Sequence, residues 1–92
     1  MPQLIHLDVS ELEPPEPMTI ILNEVRQLQP LTAIRVCHRK RPFPLYSFLQ
    51  EMGYTYHCVE LGRSDLVIYI WPEGDQLLEE FCHQAASQEQ PS

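Results

Sequence analysis

Two groups of residues have the types and spacing that chemistry requires. The first joins a proline-rich turn, Glu11-Leu12-Glu13-Pro14-Pro15-Glu16-Pro17, to a basic run, His38-Arg39-Lys40-Arg41. That run holds three of the six Lys and Arg residues, so positive charge is concentrated in one loop. An anion at the turn would have to be held by His38, Arg39 and Arg41 side chains. The backbone offers little, because Pro14, Pro15 and Pro17 lack the N–H groups that a helix start presents to anions. Glu13 and Glu16 already place negative charge there, where they suit the helix dipole. The competing expectation is that the basic trio pairs with Asp8, Glu11, Glu13 and Glu16, in surface ion pairs worth ~0–1 kcal/mol each. The second group is the cysteines, each beside a histidine: Cys37-His38, His57-Cys58 and Cys82-His83. Adjacent strand residues point to opposite faces, so neither strand pair ligates one metal through both members. A metal or haem site would need His6, Cys37 and Cys82 brought together, against the simpler reading of ordinary half-buried residues. We expect no metal and no cofactor. No Ser/His/Asp order, P-loop, GxGxxG or paired-carboxylate motif stands out, which makes an independent enzyme the weakest reading.

These residues need elements to position them. Residues 3–9 alternate, with Ile5, Leu7 and Val9 on one side and Leu4, His6 and Asp8 on the other, as in a half-buried strand. After the proline turn, Met18, Ile21, Leu22, Val25 and Leu28 form the apolar face of a helix that ends at Gln29-Pro30. A second strand covers residues 32–38. Pro44 opens a second helix with Leu45, Phe48, Leu49 and Met52 toward the core and Gly53 at its C-cap. Residues 54–61 and 66–71 read as a hairpin around Gly62-Arg63-Ser64-Asp65. The order is β-α-β-α-β-β: an α+β two-layer sandwich, a four-stranded mixed sheet with two helices on one face. Its open face would carry His6, Arg35, Cys37 and aromatics from among Tyr54, Tyr56, Tyr69 and Trp71. We assign residues 1–72 to this domain and 73–92 to a C-terminal extension. Asp75 N-caps a short helix there, with Leu77, Leu78, Phe81 and Ala85 on one stripe, and residues 84–92 form a frayed polar tail. Whether that helix or a partner covers the aromatics is left open at this level.

Composition limits the functions. With 92 residues the chain makes one domain and one modest core. Thirteen acidic residues against six basic ones give a net charge of -7, which argues against nucleic acid and anionic membranes as partners. No apolar run approaches the ~20 residues of a membrane span. Three cysteines without a framework spacing, and an N-terminus without export features, point to a reducing cytoplasm.

The stretch Leu7-Asp8-x-x-x-Leu12-x-Pro14-Pro15-Glu16-Pro17, followed by an amphipathic helix, resembles the TusA/SirA-like family of small sulfur carriers. That family shares the β-α-β-α-β-β order and carries a Cys-Pro-x-Pro motif at its first helix. Pro15 and Pro17 match the motif prolines, Pro14 stands where the persulfide-carrying cysteine would be, and Glu11 replaces the usual glycine. The chain is more similar still to a cysteine-less branch of that superfamily, with Leu-Glu-Pro-Pro-Glu-Pro at the first turn and His-x-x-x-Pro-x-Pro-Leu-Tyr after strand two, here His38 to Tyr46. The resemblance spans residues 4–72 and implies the fold and an orbit of sulfur or redox metabolism. It does not carry sulfur relay to position 14, because relay needs a thiolate that proline lacks.

The expected function is therefore a non-catalytic TusA-like binding or adaptor module. Its contact edge comprises Glu13, Pro14, Pro15, Glu16, Pro17, His38, Arg39, Arg41 and Tyr46. Its partner is a small anionic ligand or another protein, and the chain itself is a monomer or weak homodimer. The alternatives are a sulfur carrier using a relocated thiol, Cys37, and a metal- or haem-binding module. For Cys37 the simpler reading is a small half-buried hydrophobe.

Overall fold

The computed structural model describes residues 1–39, 43–62 and 64–89, with Phe43 described by its backbone alone. Among these residues four strands and three helices follow one another as β1 (Gln3–Asp8), α1 (Glu16–Arg26), β2 (Thr32–His38), α2 (Phe43–Glu51), β3 (Tyr54–Glu60), β4 (Leu66–Pro72) and α3 (Gln76–Ser87). The sheet order is β1-β2-β4-β3. β1 runs parallel to β2, with Ile5 opposite Ile34, and β4 is antiparallel to both of its neighbours. The parallel pair requires a crossover, which α1 supplies, whereas β3 and β4 join by a short turn. The two central strands are the most deeply buried, and β4 reads accordingly as an unbroken apolar run, Leu66-Val67-Ile68-Tyr69-Ile70-Trp71.

Alternation along the strands divides the interior into two cores. On one face Ile34, Val36, Ile68 and Ile70 meet Ile21, Leu22 and Val25 of α1 and Leu45 and Leu49 of α2. Tyr54, Tyr56 and Cys58 of β3 also lie on this side. On the other face Ala33, Val67, Tyr69 and Trp71 lie under Leu78, Cys82 and Ala86 of α3. Each fully buried Ile or Leu contributes about 1.5–3 kcal/mol, so both faces matter to a domain of this size.

The four-stranded mixed sheet and the β-α-β-α-β-β order are as the sequence indicates. Three details go beyond that reading or depart from it. First, the alternative left open for the sheet's second face falls to the helix: α3 packs on it as a further layer over Tyr69 and Trp71. The helix continues to Ser87, four residues into the stretch expected to fray. It is tied down beyond its end, where the Glu89 carboxylate accepts from Arg35 Nε at 2.9 Å, from Arg35 Nη2 at 2.7 Å and from the Tyr69 hydroxyl at 3.1 Å. A cation and a phenol on the sheet thus hold a polar tail that local composition marks as loose. Second, the buried stripe of α3 is Leu78, Cys82 and Ala86, while Leu77 is 52% exposed. A buried cysteine packs as a small hydrophobe, and counting it as one turns the stripe away from Leu77. Third, Phe48 is 44% exposed. Tyr46 stacks on Tyr56 of β3 with ring centroids 3.9 Å apart, so α2 presents Leu45, Tyr46, Leu49 and Met52 to the core. Phe48 lies about 90° from the centre of that face at about 100° per residue.

The helix ends behave as their residues dictate. Asp75 accepts from the Leu78 N–H at 3.1 Å, as an N-cap should. Gly53 follows α2 at a φ of 84°, which a residue with a Cβ adopts only under strain.

Candidate functional site

The proline turn and the end of β2 meet because β1 and β2 are parallel neighbours whose C-terminal ends share one edge of the sheet. The Val9 N–H donates to the Cys37 carbonyl at 3.0 Å, carrying that ladder one residue past β1. The chain then reverses. Leu12 N–H donates to Val9 O at 3.1 Å, and Glu16 N–H to Glu13 O at 3.0 Å, which leads into α1. Pro17 lies at the start of α1, where its missing N–H leaves no intrahelical bond unmade. The Pro14–Pro15 peptide is cis.

Between this turn, the end of β2 and the first residues of α2 lies a cleft of about 390 Å³. Val9 lines it from just past β1, Leu12, Pro14 and Pro15 from the turn, and Pro17 and Met18 from the first turn of α1. Pro44 and Leu45 line it from α2. Val9 and Leu45 are among the most buried side chains of the protein, at 2% and 0% exposure, so the floor is set into the core. The polar lining is Ser10, Glu11, Glu13, His38 and Arg39.

Of the basic loop, the electrostatics can be described at His38 and Arg39, since Lys40 and Arg41 lie outside the described residues. Asp8 is occupied by Ser10, whose N–H and hydroxyl donate to Oδ1 at 3.0 and 2.6 Å. Those two bonds hold the Asp8 carboxyl below its ordinary pKa. Among the described residues, no ion pair within 4.0 Å joins Arg39 to Asp8, Glu11, Glu13 or Glu16, and the ion pair found is Arg35–Glu89. The Arg39 charge is thus exposed at the cleft. The Arg39 backbone N–H donates to His38 Nδ1 at 2.9 Å, so the neutral ring carries its proton on Nε2. Burial lowers the His38 pKa below 6.5 and keeps that ring neutral at pH 7.

Of the contact-edge residues read from the sequence, Glu13, Pro14, Pro15, Pro17, His38 and Arg39 surround this cleft. Glu16 stands outside its lining, on the exposed first turn of α1, and Tyr46 is taken up by its stack on Tyr56. Arg41 lies outside the described residues. The sequence reading missed the floor, Val9, Met18 and Leu45. Their signal was present as strand and helix periodicity, but that pattern speaks only of a core and not of a core open on one side.

The thiols are dispersed. Cys37 lies on the α3 face, away from the cleft, with Arg35 Nη1 donating to its sulfur at 3.4 Å. Cys58 lies on the opposite face. Cys82 is fully buried, and burial pushes its thiol up to about 12. His6 and Cys37 share a face, yet among the described residues no three His, Cys, Asp or Glu side chains are grouped to hold a metal ion. Among those residues, too, no helix is long and apolar enough to cross a membrane.

Fold and cleft together define a small α+β domain with a mostly apolar cleft at the C-terminal edge of a parallel strand pair. Residues 6–72 match the family DUF2249, described as an uncharacterized conserved protein, and the chain belongs to that family. The match ends where β4 ends and leaves α3 beyond it. No curated protein and no solved structure matches the chain.

Proposed function

We propose that this protein is a non-catalytic binding module, a TusA-like fold whose contact edge is the cleft between the proline turn and the His38–Arg39 segment. The observation that carries the reading is the cleft itself, a ligand-sized recess with a core-deep apolar floor and an Arg39 charge that no neighbouring carboxylate within 4.0 Å neutralises among the described residues. Ligands of α/β sheets gather at this edge of parallel strands. Binding is favoured over sulfur relay because Pro14 supplies no thiolate at the turn, and because Cys37 points to the other face of the sheet. The resemblance to sulfur carriers supports a place near sulfur or redox metabolism, with a small ligand or a partner protein at the edge.

The test is a small-molecule screen read by backbone amide shifts. Ligands of the module should move amides of residues 9–18, 38–39 and 45, and should bind more weakly to Leu12→Ala and Arg39→Ala proteins. Hits that map to the α3 face, or that bind both variants unchanged, overturn the reading. An intact mass that carries extra sulfur under denaturing conditions would favour the carrier instead.

A further inference from the structure

Resting on that reading, we propose that the cleft takes a small apolar zwitterion, an ammonium and a carboxylate on one apolar body, as in an apolar amino acid or a short peptide of such residues. The floor fixes the body. Leu12 and Met18 are half-buried and offer apolar surface to it, Val9 and Leu45 back them from the core, and the prolines beside them offer no N–H. Burial of apolar ligand surface is what such a floor rewards.

The charges select the head groups. Glu11 and Glu13 line the cleft from the turn, and Arg39 lines it from the end of β2. All three are exposed, and among the described residues no ion pair within 4.0 Å joins them. Opposite charges therefore border one cavity without neutralising each other. A bare anion gains Arg39 but meets two carboxylates. A bare cation gains the carboxylates but meets Arg39. A ligand bearing both charges has a complement for each. Phosphate and sulfate are poorly served as well, since the turn lacks backbone donors and burial keeps His38 uncharged at pH 7. A volume of about 390 Å³ sits at the lower end of the range for small-molecule sites, which suits ligands of this size.

The experiment titrates the full chain with four probes: L-leucine, L-leucyl-L-leucine, 4-methylpentanoate and 3-methylbutylamine. The last two keep the apolar body and only one charge each. At least one zwitterion should bind about five- to tenfold more tightly than either half, with shifts at residues 9–18, 38–39 and 45. Whether leucine or the dipeptide binds better tells a free amino acid from a peptide. Arg39→Ala should remove the advantage over the amine, and the double variant Glu11→Gln, Glu13→Gln the advantage over the carboxylate. Both variants alter exposed side chains, so folding is retained. If 4-methylpentanoate binds as tightly as the zwitterions, the zwitterion proposal fails while the binding module stands. If no probe moves a cleft amide, the proposal fails outright, and the broader reading is judged by its own screen.

Discussion

Glu89 belongs to a stretch that composition marks as loose, yet its carboxylate receives three donor atoms from Arg35 and Tyr69, at 2.7 to 3.1 Å. Burial works against the Arg35 charge, but the hydrogen bonds it donates to Glu89 and Tyr69 and the Glu89 charge outweigh it and raise the Arg35 pKa. Side-chain exposures of 21% and 14% for the pair place it between a surface and a buried bridge. Glu89→Ala strips the guanidinium and the phenol of their acceptor and should destabilise the protein by about 1–3 kcal/mol in urea unfolding. A double-mutant cycle with Arg35→Ala should return a coupling of about 0.5–3 kcal/mol, and no coupling would reduce the bridge to a surface ornament. His57 makes a pH prediction. Burial, then the neighbouring His83 charge, lowers its pKa from 6.5, so the unfolded chain takes up the proton first. Stability from His57 is full above pH 6.5 and is lost as pH falls below it toward the folded pKa. The half-buried His38 acts in the same direction. His57→Gln should flatten the stability profile below pH 6.5, and an unchanged slope in that variant would refute the assignment.

Among the elements, α3 is the one whose attachment is most easily tested. It joins the sheet through Leu78, Cys82 and Ala86, with His83 stacked on His57 at 4.8 Å and edge-on to Trp71 at 5.5 Å. It packs on β4 and β2 from outside the strand ladder, so its undocking breaks no strand pairing. Leu78 is 1% exposed, and Leu78→Ala removes a side chain whose loss in cores costs about 2–5 kcal/mol. Part of that loss should appear as undocking of α3 before global unfolding. Trp71 is the single tryptophan and lies under the helix, so its emission should shift to the red at low urea while far-ultraviolet dichroism still reports the strands. Coincident transitions by both probes would instead mean that α3 and the sheet unfold as one unit. Asp75→Ala should weaken the same attachment by about 0.5–2 kcal/mol through loss of the cap.

For the whole molecule, the two cores share one sheet, and a radius of gyration of 12.3 Å leaves little depth on either side. Removal of the chain after Pro72 would bare Ala33, Val67, Tyr69 and Trp71 as one apolar face. Such a face drives association. A chain ended there should therefore sediment as a dimer or larger species where the full chain is smaller, despite the net charge of -7 that keeps copies apart. A monomeric, soluble product would show that the α3 face contributes little to the association state.

The elements were legible because their signals are local. Alternation along residues 3–9, the 3.6-residue spacing of Ile21, Leu22 and Val25, Gly53 after α2 and Asp75 before α3 act within a turn or a strand, and each is observed in place. The adjacency of the proline turn and the basic loop was legible too, since a parallel β1–β2 pair must bring its two C-terminal ends together. What tertiary structure decided is whatever depends on partners distant in sequence. Periodicity marks Phe48 and Leu77 as apolar but not which of them faces the sheet, and a stack of Tyr46 on Tyr56 and a buried Cys82 settle that. Glu89 finds Arg35 across 54 residues, a pairing no local window contains. The cleft is of the same kind: Val9, Met18 and Leu45 are core residues by pattern, and only the way β1, α1 and α2 converge leaves a recess over that part of the core, beside Glu11, Glu13 and Arg39. Local sequence determined the elements, because hydrogen bonding and alternation act at short range. Packing determined the site, because a cavity is the space that several elements together fail to fill.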